Sequence, residues 1–270
     1  EISLGLVGSE MCIRDSTNKG HWNLCHIPLL PVTGTPTPGD YCSPFSHERE
    51  SAAPGYYQVF LDRYGVDAQL SSTLRCAFHK YTYPAGAAPA VLADLQRSNE
   101  HVRAWDIRKE GDNVFAGWQQ TGEKMYFYAV ANRPVTGIEP VVEGDREVRI
   151  VRFGEGDGAL ELRIGFSFVS EKNARENLEA EMLGKSFAEV RSEATATWND
   201  LLGRIRVEGG TEREKGLFYS SLYRSFLWPA LRSDVNGEFT DVDGKVINPG
   251  FRYYTCLLYT SDAADELDGV

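Results

Sequence analysis

From Gly55 to about Ser170, apolar and polar residues alternate in short runs. Tyr57, Val59 and Leu61 share one face, and similar runs follow at 66–74, 76–83, 101–109, 114–120, 125–132, 147–153 and 159–169. They are rich in Val, Ile, Tyr, Phe and Thr, with Gly, Pro or Asp clusters between them. Successive side chains of a strand point to opposite faces, so a period of two predicts half-buried strands. Many short strands at even spacing, with no helical period among them, predict an antiparallel β-sandwich.

The period then changes. Ala174, Leu178 and Met182 recur every four residues until Gly184. Ser186 and Glu189 stand three residues apart, the spacing at which each side chain caps the other's backbone N–H at a helix start. Phe187, Val190, Ala194, Trp198 and Leu201 continue as one helical stripe, and Gly203 ends it. A short strand is expected at 204–208. Thr211 and Glu214 repeat the capping spacing, opening a third helix that Pro229 closes. Leu217, Phe218, Leu222, Phe226 and Trp228 make that helix apolar over most of its girth, which predicts burial. Asn236-Gly237 and Asp243-Gly244 mark two hairpin-like turns. Strands followed by helices predict a mainly β chain of two domains, with a boundary near 171–210. Trp105, Trp118 and Trp198 fall on periodic apolar positions and are expected in the core. His79, between Phe78 and Tyr81, is expected to be a structural histidine with its hydrogen bonds satisfied.

The two ends read differently from the rest. CLLYTSDAADELDGV at 256–270 back-translates into the mosaic end and read primer of a transposase sequencing adaptor, and the opening EISLGLVGSEMCIRDS matches in the other direction. Residues 1–16 and 256–270 are therefore expected to be translated adaptor and are left out of the fold reasoning. This changes the charge. The whole chain has 28 basic and 39 acidic residues, net −11; without the seven acids and one base of the two ends, 27 and 32 remain, net −5. Mild acidity with mixed signs argues against nucleic acid as a partner. No apolar run approaches the length needed to cross a bilayer. Cys25, Cys42 and Cys76 are scattered, forming neither a disulfide framework nor a zinc pattern. Asp234, Asn236, Asp241 and Asp243 lack the EF-hand spacing, and turn chemistry accounts for them better.

Three stretches carry a family resemblance. The first, 44–84, holds Ser46-His47-Glu48, Pro54-Gly55-Tyr56-Tyr57 and Phe78-His79-Lys80-Tyr81; the second is ATATWNDLLGRIRVEGG at 194–210. The third is LFYSSLYRSFLWPALRSDVNGEF at 217–239 followed by GFRYYT at 250–255, and HIPLLPVTG at 26–34 adds a weaker match. In this order and spacing the chain resembles glycoside hydrolase family 92. The resemblance implies an N-terminal β-sandwich (17–172), linker helices (173–210) and the start of an (α/α)6 barrel (211–255). It also implies a calcium-dependent exo-α-mannosidase that inverts configuration, acts on mannose-containing glycans and is secreted or periplasmic.

By the same resemblance, GFRYYT leads into a Trp-Asp segment at the reactive sugar. The catalytic acid and base, and most ligands of the Ca2+ ion, would lie beyond Thr255, so the chain alone is expected to be inactive. Its partner would be the rest of its own barrel. In the sandwich, Trp22 would stack on a sugar face and His21 bond a hydroxyl, although Asn18-Lys19-Gly20-His21-Trp22 departs from the family's Gly-rich wording. His47 and Glu48 match the Ser-His-Glu motif as further substrate-binding candidates. The plain readings are a packed loop tryptophan and edge residues bonding backbone. Two other functions compete: a non-catalytic carbohydrate-binding sandwich, and a mutarotase-type epimerase, which needs a facing His and Glu. The buried barrel helix speaks against the first, and no such pair can be assigned for the second.

Overall fold

The computed structural model describes residues 26–227, 230–241 and 243–255. Twelve strands build two antiparallel sheets: β1 (Leu29–Val32), β2 (Glu50–Ala53), β3 (Tyr56–Leu61), β4 (Val66–Ser72), β5 (Cys76–Thr82), β6 (Ala90–Ala93), β7 (Ala104–Gly111), β8 (Val114–Gln120), β9 (Lys124–Ala131), β10 (Val135–Glu143), β11 (Arg146–Phe153) and β12 (Leu160–Ser167). The larger sheet runs β2-β3-β4-β5-β12-β9-β8-β7 and the smaller β1-β6-β11-β10. Their facing sides share one core, in which Tyr81, Phe115, Phe127, Val91, Ile150, Leu162 and Ile164 are fully buried. The expected sandwich is therefore present. Its core follows from the alternation: Phe115, Phe127 and Ala129 point inward while Trp118, Lys124 and Tyr126 point outward.

Helices α1 (Glu171–Glu181) and α2 (Phe187–Leu202) lie on the outer face of the larger sheet. Leu178, Met182, Phe187 and Val190 bury themselves there against Tyr56, Cys76 and Phe78, with the Phe187 and Phe78 rings edge-on at 5.3 Å. Each such side chain contributes about 1.5–3 kcal/mol of burial. Both predicted capping boxes form, Ser186 with Glu189 and Thr211 with Glu214. Gly55, at φ +86°, turns the chain between β2 and β3 where a Cβ would meet that of Ala194 at 2.9 Å.

Several expectations are corrected. Residues 204–208 form no strand, because no other strand runs beside them. Helix α3 (Glu212–Phe226) has no buried residue: Phe218, Leu222 and Phe226 are half-buried and Leu217 is exposed. Its side-chain contacts among the described residues are slight, chiefly Tyr223 against Trp198 at 4.7 Å and the Tyr219 hydroxyl donating to Ile205 O. Trp228 and Pro229 lie outside the described residues. Trp198 is thus an inter-helix contact, and Trp118 lies on the outer sheet face beneath the Lys124 ammonium; neither belongs to the core. Trp105 only borders it.

His79 is fully buried as expected, but only half satisfied. Its Nδ1 lies 2.7 Å from the Tyr81 hydroxyl, while Nε2 has no partner. Burial pushes its pKa down to about 3. The unfolded chain takes up this proton below about pH 6.5 and the folded one does not, so stability falls with pH from about 6.5 towards 3. Between pH 7 and pH 5 the expected loss from this group is about 2 kcal/mol. Denaturant melts of wild type and His79→Gln at the two pH values measure it, and parallel pH profiles would contradict it.

Two small ladders come last among the described residues. β13 (Ala230–Leu231) pairs with β16 (Tyr254–Thr255), and β14 (Phe239–Thr240) with β15 (Val246–Ile247) across the expected Asp243-Gly244 turn. They sit at the rim where β12 and β8 end and β9 begins.

Candidate functional site

Four separate parts of the chain meet at this rim. The first is the entry at His26–Ile27. The second is the loop that follows β6, the third the β8–β9 turn, and the fourth the 230–255 segment. Gln119, fully buried near the end of β8, ties the first two together. Its Oε1 accepts from Ile27 N at 2.9 Å, and its Nε2 donates to Leu95 O and Arg97 O at 2.9 Å each. Ile27 holds φ +54°, the left-handed region that a β-branched residue enters only under strain. The backbone bond to Gln119 is one restraint that keeps it there.

Beside it, burial pushes the His26 pKa down, opposed by Glu100 and a hydrogen bond with Gln119 and assisted by Arg232. His26 Nδ1 is buried without a partner. Arg232 lies between the two halves: its guanidinium pairs with Glu123 in the β8–β9 turn and stacks over Phe168 at 3.7 Å. Its backbone N–H donates to Tyr253 O at 2.9 Å. Tyr253 stacks on Phe239, centroids 4.1 Å apart and planes 9° from parallel, while Phe251 and Tyr254 stand well exposed. The result is a rim of aromatic faces and polar groups at one end of the larger sheet.

His21 and Trp22 lie outside the described residues; the first described residue, His26, is part of this rim. His47 and Glu48 are elsewhere. They form a single 3-10 turn, with Ser46 as its N-cap, that leads into β2, the edge strand six positions from β8 in the sheet order. The turn lies at the opposite end of the strands, beside the start of β2 and the end of β3. His47 Nδ1 pairs with Glu50, its ring meets Phe45 edge-on, and Glu48 is exposed. The fold thus does not bring this pair to the rim.

Sequence reasoning missed Gln119, Glu100, Glu123 and Arg232. Only Arg232 falls in a family-like stretch, 217–239, and only the β8 alternation hinted that a polar Gln119 faces inward. Away from the rim, a groove of about 670 Å³ between α2 and the sheet is lined by Gln69, Lys80, Phe187, Arg191 and Asn199 among others. Its two cations already rest over rings, Lys80 on Phe187 and Arg191 on Tyr56.

Known proteins match this arrangement in chain order. Residues 12–178 match the glycosyl hydrolase family 92 N-terminal domain, and 173–259 match the family's catalytic domain. An uncharacterized secreted glycosidase of Arthroderma benhamiae is 24% identical over 92% of this chain and 38% of its own length. The solved family GH92 α-mannosidase BT3965 of Bacteroides thetaiotaomicron, in complex with mannoimidazole, superposes with a TM-score of 0.78. It is 25% identical over 86% of this chain and 35% of that one. The GH92 inverting mannosidase BT2199 of the same organism gives 0.70 at 24% identity, covering 84% of this chain and 33% of its own. The chain thus spans between about a third and two-fifths of these relatives. Because the sandwich and the helices with their following hairpin each match successive domains of one family, the chain belongs to glycosyl hydrolase family 92.

Proposed function

We propose that this chain is the front part of an exo-acting α-mannosidase that releases terminal α-mannose from glycans with inversion. The observation that carries the reading is the meeting, at one rim, of the sandwich entry and the aromatic segment of the second family domain. The mannoimidazole complex of one solved relative and the inverting activity in the name of another support it. We further propose the domain limits 17–172, 173–210 and 211–255, with adaptor-derived ends at 1–16 and 256–270.

Inversion needs one carboxylic acid to protonate the leaving oxygen and a carboxylate base, set apart so that water fits between. Three buried or partly buried carboxylates among the described residues have structural partners, although Asp94 Oδ1 has none. Asp94 accepts from Tyr41 and Arg146, Glu181 pairs with Arg75, and Asp234 accepts from Ser167, Asn173 and Asn177. By the family resemblance the acid and base lie beyond Thr255, and the 270-residue chain alone is expected not to hydrolyse mannosides. What it supplies is the sandwich wall of the sugar pocket, to which Trp22 would offer a stacking face and His21 a hydrogen bond, while His47 and Glu48 stay at the far edge of the sheet.

The calcium ion implied by the family has no cage here: no group of three or more His, Cys, Asp or Glu converges among the described residues. By the same family reading, most of its ligands lie beyond Thr255. Secretion or a periplasmic address suits an enzyme whose substrates are extracellular glycans. No helix of the described residues is long and apolar enough to cross a membrane.

The test is the polypeptide continued through the rest of the barrel and given an α-linked mannobiose. NMR of the first product should show β-mannose, and EDTA should abolish release. Retention of the α-anomer, or activity indifferent to chelation, would contradict the reading.

A further inference from the structure

Several side chains fasten the segment after α3 to the sandwich and α1, and Asp234 takes three of these bonds itself. Asp234 is 5% exposed. Its Oδ2 accepts from Ser167 Oγ at 2.6 Å and Asn173 Nδ2 at 2.8 Å, and its Oδ1 accepts from Asn177 Nδ2 at 2.7 Å. Ser167 ends β12, and the two asparagines sit one turn apart on the buried face of α1. Asn177 returns the contact, its Oδ1 accepting from Val235 N at 2.8 Å while its amide also donates to Phe166 O at 2.8 Å. Asn173 donates in addition to Glu238 Oε2 at 2.9 Å. Behind them Arg75 donates to Ser233 O at 2.7 Å and holds Glu181 at 2.6 Å.

From Asp234 the order passes to the rim in one step. Asp234 N donates to Glu238 O, closing the Asn236-Gly237 turn, and Ser233 Oγ accepts from Tyr253 N at 3.2 Å. The next backbone bond, from Arg232 N to Tyr253 O, lies alongside. Fixing residues 232–234 therefore fixes Tyr253 and, through the β13–β16 ladder, Tyr254.

We propose that Asp234 is a positioning residue: it sets where the first loop of the catalytic domain, with Tyr253 and Tyr254, sits against the sandwich rim. The proposal rests on the mannosidase reading for its purpose, but its chemistry stands on acceptor count. Three donors converge on one short side chain, and only a carboxylate offers two oxygens with enough lone pairs and no hydrogen of its own. An asparagine of the same shape would turn an NH2 towards a donor. Packing alone would tolerate that exchange, whereas a three-donor clasp does not.

The experiment is amide hydrogen exchange on this chain, comparing wild type, Asp234→Ala, Asp234→Asn and the exchanged pair Asn177→Asp with Asp234→Asn. Both single variants should speed exchange across 232–240 and 252–254 by about tenfold or more, and leave β6 and β11 unchanged. The exchanged pair should restore only part of the protection, because a carboxylate at 177 accepts from an amide at 234 and from Val235 N but no longer donates to Phe166 O. Wild-type protection in Asp234→Asn or in Asp234→Ala would overturn the assignment. So would a uniform loss over the whole sandwich, which would make Asp234 a general stabiliser. Exchange is read without substrate, so failure here leaves the mannosidase reading standing. Conversely, an extended enzyme that cleaves no mannoside leaves the clasp intact.

Discussion

Gly165→Val is expected to cost about 4 kcal/mol or more and to detach α1 from the sheet. Gly165 lies on the outer face of β12, where α1 crosses so closely that a Cβ would sit 2.1 Å from Ala174 O and 2.9 Å from Leu178 Cβ. The neighbour is helix backbone, which cannot rotate away as a side chain would. Lifting the helix exposes Leu178 and Met182, both now essentially buried, and each loses about 1.5–3 kcal/mol of burial. It also removes Asn173 and Asn177 from Asp234, so the 230–255 segment should loosen at the same time. Denaturant unfolding measures the loss, and hydrogen exchange over 171–181 and 232–240 locates it. A variant within about 1 kcal/mol of wild type would show that this crossing is not close-packed.

Gln119→Leu should be nearly as damaging, at about 3 kcal/mol, although the change conserves volume. It leaves Ile27 N, Leu95 O and Arg97 O without their buried partner, and each stranded group costs about 1–3 kcal/mol. Water reaching the rim recovers part of this, which keeps the estimate below the simple sum. The strained backbone at Ile27 then loses a restraint, and the entry loop should become mobile. Chemical denaturation combined with exchange at residues 26–30 and 95–98 tests this. A loss below about 1 kcal/mol would mean that Gln119 does not organise the rim.

The sandwich was legible because its longer strands bury one face each. The strands that escaped notice lack that signature. β1 and β6 are four-residue runs buried on both faces, with no alternation to see. β2 is a largely exposed edge strand. β10 carries Pro140 and a bulge between Val135 and Gly137, features that argue against a strand in sequence and protect an edge in the fold. At 204–208 the opposite happened: Arg-Ile-Arg-Val alternates as a strand does, but no neighbour completes a ladder. The apolar girth of α3 was also plain in the sequence, yet the described residues offer almost nothing for it to bury against.

The site was less visible than the fold. Asp234 looked like turn chemistry beside Asn236-Gly237, and it does close that turn. Its clasp partners lie 57, 61 and 67 residues earlier, a proximity that only the folded helix and strand create. Gln119 carries no motif either; its meaning lies in three backbone groups from two other segments. His47 and Glu48 show the converse. Their motif was clear, but the sheet order carries them to the far edge from the rim.

Mannose release, measured in parallel on the 270-residue chain and on the same sequence continued through the rest of its barrel, tests the division of labour most directly. The sandwich half by itself should leave an α-mannobiose intact, and the continued polypeptide should cleave it. Cleavage by the shorter chain, or none by the longer one once folded, would contradict the account.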